Sequence, residues 1–592
     1  MRGSGPDSLR VLLVVTVLSS AHHLASAAWP ELGLPVCTAA GGQEAPRIAP
    51  DGAGGAIITW EDTRNGMSNI FAQHVKATGD VDSAWPIDGR ALFSDPLVLA
   101  SAPVIAPDGA GGAIVAWQDG RSQTSGIDIY AQHVRASGSI DPAWPVNGRA
   151  LSTAAGQQGR PEIAADGAGG AVVTWTDLRA GSSDADVFAQ HVLASGAIDP
   201  RWPVNGVALA SVPGDQFLPK IVADGNGGAI VTWNDNRSLT NSTDIFAQHV
   251  MSSGIVDPNW PVNGRALSRA VQDQEDPSIT SDGAHGAIVA WGDFRDLTFH
   301  IFAQRVLGSG AIAPGWPTDG RQMSAAPIGQ NEPILVSDGA SGAIVTWTDF
   351  RNGGNSVQFA QHVLGSGAID PAWPVNGTPL SRSTADQTNA AIATDGAGGA
   401  IVAWEEDAFI VAQHIRASGV LDLAFPINGR LVRPVLTFQH DPDLLADGAG
   451  NAIVAWSDRA SNAQSDVYAM QVRAADTVTV CQGTPGDLPA EVDNGVRVSR
   501  SGTDATITWN LAANATSSDV LRGLVRGLPV GGVGERCLVH NTVARTLTDP
   551  DLPGAGDSFW YLVRGENLCG VGPYGFEDRR GLAAPRESAT CP

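Results

Sequence analysis

Asp166-Gly-Ala-Gly-Gly-Ala-Val-Val-Thr-Trp-Thr-Asp-Leu-Arg179 decides how this chain folds. Asp-Gly followed by Gly-Gly supplies residues that tolerate positive φ, the requirement of a tight hairpin connection. The run Ala171–Trp175 is β-branched and almost continuously apolar, as expected of a strand covered on both faces. The first part of this stretch, Asp-Gly-x-x-(Gly/Asn)-Ala, occurs eight times, beginning at Asp51, Asp108, Asp166, Asp224, Asp282, Asp338, Asp395 and Asp447. Nine positions after each Asp stands a tryptophan: Trp60, Trp117, Trp175, Trp233, Trp291, Trp347, Trp404 and Trp456. A spacing of 52 to 58 residues, filled with short apolar runs and Gly-rich turns, signals a repeat architecture of small β-sheets.

Working outward from that phrase, the unit 144–201 parses into four short strands. Trp144-Pro-Val-Asn-Gly-Arg-Ala-Leu151 leads through a polar loop to Pro161-Glu-Ile-Ala-Ala, then to the hairpin and Ala171–Trp175, then to Asp186–Val192. No stretch of twelve residues carries a helical apolar stripe. The prediction is all-β: an eight-bladed β-propeller followed by a small β-sandwich. The array begins mid-unit, because Trp29-Pro-Glu-Leu-Gly-Leu-Pro-Val-Cys37 matches the Trp-Pro element and no such element follows the eighth unit. The N-terminal strand is therefore expected to complete the last blade and close the ring. An open solenoid would need distinct polar capping repeats, which are not evident.

Residues 1–27 read as a secretory signal peptide, with Arg2 and Arg10, the apolar Val11–Leu18 and Ala25-Ser26-Ala27 before the cut. The expected location is extracellular or periplasmic, with no membrane insertion and a monomeric state. Removing that segment takes the formal charge from −25 to −26. Only Lys76 and Lys220 are lysines. So acidic a chain is a poor match to nucleic acid or anionic lipid. All five cysteines lie in the exported part. Closure of the ring would bring Cys37 beside Cys481, and a bridge there would contribute roughly 2–4 kcal/mol.

Comparing the eight copies separates scaffold from the rest. Fifteen of the seventeen tryptophans fall at two repeat positions, and the Trp-Pro site (Trp29, Trp85, Trp144, Trp202, Trp260, Trp316, Trp373, with Phe425 as variant) reads as filling between sheets rather than as sugar-stacking platforms. Trp-x-Asp-x-Arg recurs in six units, including Trp60/Asp62/Arg64, Trp117/Asp119/Arg121 and Trp175/Asp177/Arg179, and reads as a structural staple. Units seven and eight depart from it, with Glu405-Glu406-Asp407 and Asp458-Arg459. His74, His133, His191, His249, His362 and His414 recur at one position; on different blades they stand too far apart to share a zinc ion, so no metal or cofactor is expected.

Function is expected where the copies differ. The loops between second and third strands (Ser122–Asp128, Ala180–Asp186, Ser238–Asp244, Asn352–Gln358 among them) and between units (Thr153–Arg160, Gly214–Leu218, Ala270–Asp276, Gly329–Glu332) open on one face. Asp128, Asp184, Asp186, Asn241, Asp244 and Asn352 are the candidate binding residues, and no catalytic residue is assigned. The favoured role is a non-catalytic scaffold for a protein or glycan. The alternative is a glycoside hydrolase-like enzyme with acidic residues at the ring's mouth.

Two resemblances bear on this reading. The array resembles the Asp-Gly-rich, Tyr/Phe-Ala-Gln-containing repeats of secreted bacterial proteins, which implies a propeller and export but supplies no active-site residue. It is similar to sialidase-type Asp-box propellers in its Asp-Gly turn, although the aromatic follows at nine residues instead of five. The array offers only Tyr130 and Tyr468 for the tyrosine nucleophile of that chemistry, each where the repeat usually has Phe. From about Pro485 the composition changes. Trp509, Tyr561-x-Val563 and Asn567-x-x-Gly570 resemble a fibronectin type III-like domain over 485–592, which implies a spacer or adhesive module after a propeller spanning 28–481. Within it Cys569 is expected to pair with Cys537 or Cys591.

Overall fold

The computed structural model describes residues 29–474 except 123, 182–183, 239–241, 352 and 461–463, together with backbone strands between 497 and 585. The described residues contain no helix. Eight four-stranded antiparallel sheets form an eight-bladed β-propeller. In the first blade the order is Gln43–Pro50, Ala56–Asp62, Asn69–Val75 and Arg90–Phe93, and the later blades repeat it. The first strands of successive blades adjoin one another, and that of the eighth (Phe438–Ala446) meets that of the first, so they circle the axis.

The ring closes as the sequence predicts. Blade eight takes Leu34–Cys37 as its outer strand, with Leu34 opposite Ala469, Pro35 opposite Tyr468 and Cys37 opposite Val467. The joint is bonded on both sides. Gln43 N donates to the Ser465 carbonyl at 2.7 Å, and Arg433 Nε donates to the Leu32 carbonyl at 2.8 Å. Cys37 is buried, its Sγ accepting from Arg64 Nη2 at 3.0 Å, and burial pushes its thiol up to about 12. Its expected partner Cys481 lies outside the described residues, as do the expected signal segment 1–27, Trp509, Cys569 and Cys591.

Two tryptophan rings hold the blades. The eight tryptophans of the second strands are fully buried within the sheets' packing layers. The Trp-Pro residues lie in the turn before each outer strand instead of in the strand itself, and bolt each blade to the next. Trp144 Nε1 donates to the Ala194 carbonyl at 3.1 Å, and Trp202 Nε1 to the Ser252 carbonyl at 3.2 Å. Burying such aromatics stabilises by about 1.5–3 kcal/mol each or more.

Beyond the array, Arg497–Ser501, Asp504–Thr508 and Thr546–Asp549 pair as one antiparallel sheet. Arg536–Thr542, Ser517–Leu524, Phe559–Asn567 and Gly570–Val571 pair as another. Cys537 belongs to the first strand of that second sheet, and Tyr561 and Val563 to its third.

Candidate functional site at the ring axis

The Trp-x-Asp-x-Arg residues form a closed set of bonds in each of the first six blades. The indole Nε1 donates to Asp Oδ2 at 2.7–3.0 Å. Arg Nε donates to Oδ1 of the same Asp at 2.7–2.8 Å. The guanidinium also donates to the carbonyl of the Asn or Asp in the Pro-x-(Asn/Asp)-Gly turn, and lies over the third-strand aromatic, as Arg179 does over Phe188 at 3.7 Å. Two blades solve the same problem with other residues. In the seventh, Glu406 Oε2 accepts from Trp404 Nε1 at 3.1 Å and from Gln387 Nε2 at 2.8 Å. In the eighth, Asp458 takes its cation from Arg433, at 2.6 Å, and not from the adjacent Arg459.

On the opposite face the recurring histidine lies between two carboxylates. His191 Nε2 is 2.9 Å from Asp166 Oδ2, and its Nδ1 is 2.9 Å from Asp199 Oδ2. Asp166 Oδ1 meanwhile accepts from Ala168 N and Gly170 N, holding the hairpin. The arrangement recurs at His74, His133, His249, His362 and His414, with each ring also against the Trp-Pro aromatic. Arg305 and Gln471 bond Asp282 and Asp447 in the two remaining blades. Every ring nitrogen in these six sets is engaged by a carboxylate, which leaves no lone pair turned toward an open ligand position.

Four of the candidate binding residues, Asp128, Asp184, Asp186 and Asp244, are described, and they lie at the base of the variable loops. Asp128 is 0 % exposed, Asp186 3 % and Asp244 3 %, so none of the three presents surface to a partner. Each stands directly opposite the staple carboxylate of its own blade: Asp119, Asp177 and Asp235. Burial pushes Asp186 and Asp244 up to about 6, helped by the neighbouring Asp177 and Asp235, and raises Asp128. Asp186 accepts from Ser211 Oγ at 3.2 Å, and half-buried Asp184 accepts from Gly214 N, tying one loop to the next. Asn241 and Asn352 lie outside the described residues.

The structure draws attention to positions the sequence placed at the ends of loops. Arg160, Leu218, Asp276 and Glu332 belong to the inner strands. Every inner strand has a register irregularity there, and one residue at it is left-handed in all eight blades, the third of the strand in seven and the fourth in the eighth. These are Ala45, Ala102, Arg160, Leu218, Asp276, Glu332, Asn389 and Asp441, with φ between +49° and +56°. A bulge of this kind re-aims side chains, and left-handed non-glycine residues cost of order 1–3 kcal/mol each. The previous blade holds the turned backbone in place. Glu61 Oε1 accepts from Ala102 N at 2.8 Å, Gln118 Oε1 from Arg160 N at 3.0 Å, and Glu405 Oε1 from Asp441 N at 2.8 Å.

Around the axis these bulges line two cavities that share Glu162, Leu218 and Lys220. One, of about 430 Å³, is lined by Arg47, Arg160, Glu162, Lys220 and Asp443 with Ile, Val and Pro side chains between them. The other, of about 560 Å³, is lined by Glu162, Lys220, Asp276, Glu332 and Asn389 with similar apolar neighbours. Both fall in the size range of small-ligand clefts. Since each inner strand starts from the inter-blade loop, the bulges lie toward the variable face. The clue in the sequence was the bulge position, which precedes a proline in seven copies and holds six residue types across the eight.

No family profile matches the chain, and no curated protein matches it. Among solved structures, a Dos1 propeller is similar with a TM-score of 0.41 and 8 % identity, covering 73 % of this chain and 93 % of that one. A prolyl oligopeptidase B from Galerina marginata gives 0.40 and 10 %, covering 73 % of this chain and 56 % of that one. An alpha-L-arabinanase from Penicillium chrysogenum gives 0.32 and 10 %, covering 64 % and 94 %.

Proposed function

We propose that this chain is an exported, non-catalytic binding scaffold that takes a glycan at the ring axis, entered from the face of the variable loops. One observation carries the reading. The staple, the histidine sets and the tryptophan bolts repeat from blade to blade, whereas the strained bulges hold six residue types in eight copies and four of them, Arg160, Asp276, Glu332 and Asp441, carry charge. A scaffold position has one best residue and recurs; a ligand without eightfold symmetry needs different groups around it. The cavity sizes favour a glycan terminus over a folded protein partner. In this reading the loops around Asp128, Asp184, Asp186 and Asp244 form the rim, residues 1–27 direct export, and 485–592 is a fibronectin type III-like spacer.

A second reading has its own support. Glu162, Asp276 and Glu332 share one cavity, and a pair of carboxyl groups flanking a glycosidic bond is the minimum for its hydrolysis. A glycan array and a polysaccharide hydrolase panel, run on the chain from residue 28 and on an Asp276→Ala/Glu332→Ala variant, separate the two. Binding that the variant loses, without turnover, is the expected result. Turnover lost in the variant overturns the scaffold reading, and binding indifferent to the substitutions overturns the axial placement.

A further inference from the structure

The axial cavity reverses the charge balance of the chain around it. Overall the formal charge is −25, yet the smaller cavity holds Arg47, Arg160 and Lys220 against Glu162 and Asp443. Both carboxylates already have partners. Glu162 is paired with Lys220 Nζ. Asp443 Oδ2 accepts from Ile48 N at 3.0 Å, and its Oδ1 accepts from Leu444 N at 3.1 Å. Among the described residues neither Arg47 nor Arg160 has a carboxylate within ion-pair distance, and both are exposed where they line the cavity. Six arginines of the staples, Arg64, Arg121, Arg179, Arg237, Arg295 and Arg351, are held by buried aspartates, and four more, Arg90, Arg149, Arg265 and Arg321, donate to glycine carbonyls of the next blade. Lys220, one of only two lysines, also stands here.

The placement of Arg160 has a cost as well. It occupies the left-handed bulge at φ 56°, where a glycine or asparagine would sit with less strain. The neighbouring blade fixes that backbone through Gln118. Across the axis the second cavity is acidic, with Asp276 and Glu332 exposed on the bulges of blades five and six. A ligand that spans both would place an anionic group on the arginine side and hydroxyl donors against the carboxylates.

From this geometry we infer that the axial site selects an anionic sugar, its carboxylate held between the guanidinium groups of Arg47 and Arg160. The inference rests on the axial reading above and adds the charge of the ligand. Arg–carboxylate pairs can be bidentate, which orients the ligand as well as attracting it. Opposite charge at the mouth also raises the association rate in a salt-dependent way.

Calorimetric titration tests it with digalacturonate, its uncharged counterpart galactobiose, and inorganic sulfate as a bare anion. The proteins are the wild-type chain, Arg47→Ala/Arg160→Ala, Asp276→Ala/Glu332→Ala, and Arg201→Ala, an exposed arginine bound to Asp199 in the turn before its blade's outer strand. Expected is binding of digalacturonate that falls at least tenfold in the double arginine variant, weakens with salt and is unchanged in Arg201→Ala. Sulfate should bind more weakly at the same arginines. Equal binding of galactobiose, lost in Asp276→Ala/Glu332→Ala but not in the arginine variant, would leave the axial site standing and overturn its anion selectivity. Digalacturonate binding insensitive to both sets of substitutions would overturn the axial reading itself, and no binding by either anion would overturn the inference. Native-like circular dichroism and melting of the variants keep loss of fold from counting as loss of binding.

Discussion

The indole Nε1 of Trp85 donates to the carbonyl of Ala136 at 2.9 Å, across the boundary between the first and second blades. That bond needs the backbone of the next blade to come very close to the ring. A Cβ placed on Gly138 would stand 2.7 Å from Trp85 Cγ, and Gly138 has φ +75°. Gly109, in the preceding hairpin, has almost the same φ of +73° and nothing within 4 Å of a Cβ. The two glycines separate conformational strain from inter-blade contact. Gly109→Ala should cost about 1–2 kcal/mol from the left-handed backbone alone. Gly138→Ala should cost about 2–5 kcal/mol, because overpacking against the indole adds to that strain. Urea unfolding of both variants measures the difference, and equal costs would mean that Trp85 yields freely.

The staples lead to a second prediction. Asp177 is fully buried and accepts from Trp175 Nε1, Arg179 Nε and Arg179 Nη2. Asp177→Ala leaves an indole N–H and a partly buried guanidinium without their acceptor, so destabilisation of about 3–5 kcal/mol is expected. Asp199→Ala removes a carboxylate whose Arg201 partner is exposed in solvent, and should cost less despite the loss of a bond to His191. Thermal melts of the two variants rank them.

These two cases show why the scaffold could be read from the sequence. Trp, Asp, Arg and Gly recur because each meets the same neighbour in blade after blade, so eight copies in one chain report which contacts cannot change. The closure strand was legible for the same reason, since Trp29–Cys37 is a repeat element displaced to the start. The axial residues were hidden by a local feature. Nothing in Gly-Arg160-Pro161 announces a bulge with positive φ, and a residue before proline is ordinarily expected to be extended. Arg160 and Glu332 therefore read as loop ends in the sequence. The burial of Asp186 and Asp244 was hidden too, because a charged residue beside a variable loop is ordinarily exposed.

Stability should depend on pH with a maximum on the acid side of neutrality. Burial and nearby aspartates raise Asp186 and Asp244 to about 6, above the ordinary 3.8, so the folded state holds their protons more tightly. Their penalty grows as pH rises from about 4 and is complete above about 6. His249 is also raised, by Asp224 and Asp257 acting against its burial, so its contribution is present below about 6.5 and lost as pH climbs through the higher folded value. Asp82 is lowered to about 2 despite its desolvation, by the Ala84 N–H and the nearby Lys76 and His74, so its contribution is lost as pH falls below 3.8. Unfolding free energy is expected to peak near pH 4–5 and decline toward pH 7. Asp186→Asn/Asp244→Asn should flatten that decline, by at most about 3 kcal/mol per site. A decline of unchanged slope in the double variant would show that the two carboxyls do not bind protons in the folded state.

The joint between the ends of the array should govern the stability of the whole ring. Deleting 29–37 removes Trp29, Leu34, Val36 and Cys37, all at most 9 % exposed, from the outer strand of blade eight and the turn before it. It also removes the bond from Trp29 Nε1 to the Ala77 carbonyl, which links blade eight to blade one. The third strand of that blade, Asp466–Val472, would then present an unpaired edge. The apolar loss alone is about 1.5–3 kcal/mol per large side chain. The deletion should therefore lower the melting temperature markedly and bring concentration-dependent association. Adding a peptide of residues 29–37 in trans should recover part of the lost stability by pairing with that edge. Light scattering and melting with and without the peptide measure both effects, and a deletion variant that melts like the full chain would show that blade eight is held by its three remaining strands.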